Sequence, residues 1–172
     1  MSIGKLITER LRRLADGDRT MLEAGAENTL LLDQPLRVKL EFSDHDRYSV
    51  ALRELTVGSS GAAPLDARGY LSATAADVAR RLSFLEEPLA VWELDGGERM
   101  AQLRSSPPLH EGDTVAYWEV TLWAGDEPGA RAVRYQWSPG MAEREVLAYP
   151  ATFALIARMT DGLAAALRGD AE

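Results

Sequence analysis

The chain contains no cysteine. That removes disulfides, thiol nucleophiles and thiolate metal sites at once, and it suits a reducing cytoplasm. Histidine is almost as scarce, with two residues, His45 and His110. No run of about 18 apolar residues occurs, so no transmembrane helix is expected. The opening MSIGKLITERLRRLAD has no unbroken apolar core of the signal-peptide kind, and Glu9 and Asp16 are out of keeping with a transit peptide. Basic residues are in deficit, 19 against 27 acidic, for a formal charge of −8. Such a field repels nucleic acid and anionic membrane, so neither is an expected partner.

What is present suits a cytoplasmic protein of bacterial type. The Ala-, Arg- and Leu-rich usage has the look of a high-GC genome. At 172 residues and 46% hydrophobic, the chain suits one α+β domain that buries roughly 70% of its unfolded surface. The expected organisation is an N-terminal helix and hairpin over 1–57, a connection over 58–72, and a helix–meander–helix unit over 73–169. No internal repeat and no low-complexity segment stands out. About six antiparallel strands and three helices are predicted, the helices covering one face of the sheet.

All four tryptophans lie between Leu89 and Trp137. Thr114 to Ala124 alternates strictly, with Ala116, Trp118, Val120, Leu122 and Ala124 on one side, which predicts a strand buried on its even face. Arg131 to Trp137 follows a GDEPG loop. Matching apolar faces sets Ala124 opposite Arg131 and Trp118 opposite Trp137, because a one-residue slip would turn a strand inside out. Gly96-Gly97 suits a two-residue turn between LAVWELD and RMAQLRS, with Trp92 opposite Ala101. Ser105 to Pro108 ends that strand, since proline has no N–H for the ladder. These four strands make a meander.

Before it, Ile3, Leu6, Ile7, Leu11 and Leu14 recur at helical spacing, with Ser2 as cap and an end near Gly17. The stripe either covers the chain's own sheet or docks on a partner. A second short helix is expected around Thr20 to Ala24, and a short strand over Thr29 to Leu32. Leu36 to Phe42 alternates cleanly. In Tyr48 to Val57 the apolar phase is even up to Leu52 and odd at Leu55 and Val57, which predicts a bulge. GSSGAAPLDARG, 58 to 69, reads as a connection. Thr74 is expected to cap the next helix, with Asp77 answering it. After the meander, Arg144 to Ala148 is expected to be extended, and the last helix to begin with Pro150 in its first turn.

Motifs for chemistry are scarce. Asp44, His45 and Asp46 resemble a metal or acid–base cluster, but adjacent turn residues bonding their own backbone explain them better. Ser105, His110, Glu111 and Asp113 lie too close in sequence for a nucleophile and its base. No phosphate loop, zincin helix, dinucleotide fingerprint or calcium loop is present. No cofactor and no metal is therefore expected. The richest surface is the outward face of the meander, where Glu93, Gln102, Arg104, Tyr117, Glu119, Trp123 and Arg134 are predicted to lie together. Aromatic residues and arginine are typical interface anchors. The favoured expectation is a non-enzymatic protein-interaction module of chaperone or adaptor type, binding another protein or a second copy of itself. The alternative is a small-ligand binder or enzyme with an Arg- and acid-lined site on the sheet.

Overall fold

The computed structural model describes residues 1–171. Three helices, α1 (Ile3–Ala15), α2 (Ala67–Arg81) and α3 (Phe153–Arg168), accompany ten strands. The strands are β1 (Thr29–Leu32), β2 (Arg37–His45), β3 (Ser49–Gly58), β4 (Leu89–Asp95), β5 (Met100–Ser105), β6 (Leu109–Glu111), β7 (Thr114–Trp123), β8 (Gly129–Trp137), β9 (Glu145–Val146) and β10 (Tyr149–Thr152). They form one antiparallel sheet, its main path running β1-β2-β3-β8-β7-β5-β4. The fold is thus α+β with the expected meander of β4, β5, β7 and β8. The sheet is larger than the six strands expected, because β1 to β3 join the meander through the β3–β8 pair and short pieces fill the gaps.

The even face of β7 is buried as its alternation predicts, with Trp118, Val120 and Leu122 almost fully enclosed. The bulge in β3 is also present: Glu54 pairs with Glu41 and Leu52 with Phe42, which leaves Arg53 as the extra residue. It lets Val50 and Leu52 face the core on one parity and Leu55 and Val57 on the other.

In β8 the expected register is wrong. Arg131 pairs with Thr121 rather than Ala124, a slip of three residues. An odd slip reverses the faces, so the inward row is Ala130, Ala132 and Arg134. Trp118 lies opposite Arg134, and Trp137 lies opposite Val115 on the other side of the sheet. The physical cause is that β8 is covered on both faces. Val133 and Tyr135 are buried although they face away from the core row, because Arg144, just before β9, lies over the Tyr135 ring and bonds Glu119, the ladder partner of Val133. Matching apolar rows therefore selected the wrong side.

The β4–β5 turn is also longer than expected. It spans 96–99, with Arg99 at φ 56°, and a bulge between Val91 and Glu93 throws Trp92 out to 64% exposure instead of setting it against Ala101.

The helices correct other boundaries. Helix α1 begins with Ser2, whose hydroxyl accepts from the Lys5 N–H, and buries Ile3, Ile7, Leu11 and Leu14 in the chain's own core. It lies close against α3: a Cβ on Gly4 would sit 2.4 Å from the Ala157 carbonyl oxygen, and the Gly4 N–H donates to Asp161 at 2.8 Å. The expected second helix is only a 3-10 turn, Arg19–Met21. Helix α2 starts seven residues before Thr74, capped by Asp66, and Thr74 is buried inside it. The connection therefore ends earlier than residue 72. Helix α3 is capped by Thr152, and Pro150 belongs to β10, on the flank of β3, where its missing N–H is tolerated. Gly162 faces α2, where a Cβ would lie 3.1 Å from Leu82 Cδ2. No helix among the described residues is long and apolar enough to cross a membrane.

Candidate functional site

The helices occupy one face of the sheet and leave the other largely open. Its centre is built by four elements. Strand β5 supplies Arg104, β7 supplies Tyr117 and Glu119, and β8 supplies Tyr135. The turn before β9 supplies Arg144. Arg104 stands directly opposite Glu119 in the ladder, and its Nε donates to Oε2 at 3.0 Å. Arg144 reaches the same carboxylate with both terminal nitrogens, NH2 donating to Oε1 at 3.0 Å, and NH1 also donates to the Tyr117 hydroxyl at 3.0 Å. Glu119 is only 5% exposed, and these charge-assisted bonds offset its loss of water. They also raise the Arg144 pKa above that of an ordinary arginine, through Glu119 first and Tyr117 after it.

Rings and guanidiniums alternate across this centre. Arg104 lies 5.2 Å from the centroid of Trp92 and 5.4 Å from that of Tyr117. Arg144 lies 3.7 Å over Tyr135. Each such stack contributes about 0.5–1 kcal/mol at an exposed site. One carboxylate serves two arginines, so the cluster keeps an excess positive charge. Both guanidiniums keep their charge in this setting, so the arginines can bind and orient a group.

Glu93, Gln102, Arg104, Tyr117 and Glu119 do share the outer face, Glu93 standing opposite Gln102. Trp123 is on that face but serves the fold: its ring covers Gly129, where a Cβ would lie 2.2 Å away, and its indole N–H donates to the Glu127 carbonyl at 3.2 Å. Trp137 does the same for its own turn, donating to Met141. Arg134 is not on the outer face. It is 2% exposed on the helix side, paired with Glu87 at 2.8 Å and lying against Trp118 and Tyr149. Glu87 Oε2 and Trp118 Nε1 have no hydrogen-bond partner there.

Trp92, Tyr135 and Arg144 belong to the cluster and were not predicted. The alternation of β4 does not disclose the bulge that turns Trp92 outward, and Arg144 comes from irregular chain. The Asp44–Asp46 turn holds itself together, Asp46 accepting from the Tyr48 and Ser49 N–H groups at 2.7 and 2.8 Å. Ser105 Oγ accepts from the Trp118 N–H, and His110 lies on β6. No group of His, Asp and Glu among the described residues is placed to hold a metal ion. Comparison with protein-family models, curated proteins and solved structures found no match to this chain.

Proposed function

We propose that the protein is a non-enzymatic interaction module that presents the open face of its sheet to another protein in the cytoplasm. The observation that carries this reading is the exposure of large side chains on that face, with Trp92 at 64% and Met100 at 45%. Arg104 stacks on one side of the Trp92 indole, and a partner that covers the rest gains one of the stronger interface anchors. The arginine–tyrosine centre beside it is rigid, so little side-chain entropy is lost on binding.

A photo-crosslinking residue at position 92, with one at position 12 on the helix layer as control, tests this in the producing cell. A discrete adduct from 92 alone supports the reading, and equal labelling from both positions overturns it. Light scattering tells whether the adduct is a second copy. A second reading, a small-ligand binder, draws on the cavity of about 430 Å³ beside Trp123, whose walls include Arg37, Lys39, Asp126 and Glu127. A thermal-shift screen against metabolites tests it.

A further inference from the structure

The charges of the open face answer one another over most of its area. Lys39 pairs with Glu41, Arg131 with Glu54, Arg37 with Glu127, and Arg104 and Arg144 share Glu119. The β4–β5 hairpin departs from this rule. There a trough of about 210 Å³ is walled by Glu93, Asp95 and Glu98 and floored by Met100, Gln102 and Thr121. None of the three carboxylates has an ion-pair partner among the described residues. Trp92, 64% exposed, comes from the strand that forms one wall.

Resting on the open-face reading, we infer that this end of the sheet docks a basic segment of another protein, a lysine or arginine entering the trough while an apolar neighbour covers Trp92 and Met100. Complementary charge argues it locally and globally. The trough has one sign, and the whole chain carries −8, which steers a cationic segment inward. A bare metal ion does not suit the trough, because its acids are not placed to hold one. The bulge at Trp92 breaks the row of backbone groups along β4. Side chains therefore make the contact, and an added strand does not.

Two synthetic peptides of equal length test this, one alternating lysine with leucine and the other glutamate with leucine. Binding to the full chain is read by fluorescence anisotropy at low and high salt. The basic peptide is expected to bind at least tenfold tighter, to weaken at high salt, and to lose at least fivefold on Glu93→Gln with Glu98→Gln. These side chains are exposed, so the variants keep the fold. Glu9→Gln with Asp16→Asn, on the helix layer, is expected to change nothing. Equal weakening by both pairs of substitutions would mean bulk charge alone and overturns the inference. Tighter binding of the acidic peptide, lost on Trp92→Ala, overturns the basic preference but keeps the open face as the docking surface. Binding of neither peptide that depends on Trp92 or Tyr117 sinks both readings.

Discussion

Arg134→Met isolates the buried ion pair under the sheet. Arg134 and Glu87 keep 2% and 9% of their side-chain surface, and they meet at 2.8 Å. Methionine retains much of the bulk and removes the charge. Glu87 is then left with both oxygens unanswered, since Oε2 has no partner already. Breaking a buried pair in this way costs about 3–5 kcal/mol. Total stability for a domain is about 5–15 kcal/mol, so the loss is about a fifth of it or more. For this chain length, 1 kcal/mol corresponds to about 2–4 °C, and a Tm drop on the order of 10 °C is expected. Adding Glu87→Leu removes the orphaned carboxylate, and the double variant is expected to recover most of the loss. Urea unfolding followed by tryptophan emission, with Trp118 as the enclosed reporter beside Arg134, measures all four corners of the cycle. A single variant within about 1 kcal/mol of the parent, or a double variant no better than the single, refutes the claim that the pair is buried and coupled.

Leu11→Asp is expected to cost on the order of 4 kcal/mol and to abolish the far-UV helical signal near room temperature, because Leu11 is 1% exposed in the chain's own core. A folded monomer released from a dimer would instead make α1 an interface. Gly4→Ala drives a Cβ against the Ala157 carbonyl oxygen and is expected to cost about 1–3 kcal/mol in urea unfolding, while Gly17→Ala, in open space, strains only its own backbone. The N–H groups of Tyr48 and Ser49, with the Ser49 hydroxyl, hold the Asp46 pKa below its usual value of 3.8. Its stabilising share is complete above that value and is lost as pH falls through the lowered one. Melting curves between about pH 2 and 6 should therefore show a shallower acid decline in Asp46→Asn than in the parent.

Local patterns spoke plainly wherever one face of an element meets water. Strand β7 and the parity change in β3 follow directly from alternation, and α1 from its stripe. Strand β8 did not, because Arg144 lies over Tyr135 and bonds Glu119 beside Val133, which buries the second face and erases the contrast on which alternation depends. The start of α2 was hidden by Gly69. That glycine sits where the Asp66 carboxylate caps the helix, accepting its N–H at 3.0 Å, and a Cβ there would lie 2.2 Å from Asp66 Oδ2. The residue that made the segment read as a connection is the one that lets the cap close. Five of the seven expected site residues form the open face or its rim. Trp123 lies there too but braces a turn, and Arg134 lies beneath. Long-range register decides such placements, and a single strand's pattern does not carry it.

The seam between β3 and β8 joins parts of the chain made far apart in time, Val57 meeting Ala130. A ribosome delivers the β2–β3 hairpin long before its neighbour exists. Until that neighbour arrives, one edge of β3 keeps its backbone N–H and C=O groups unpaired, and its leucine and valine side chains wait longer still for α3. Closing so distant a seam is slow. The emerging polypeptide thus has a waiting period in which a cellular folding helper has something to hold.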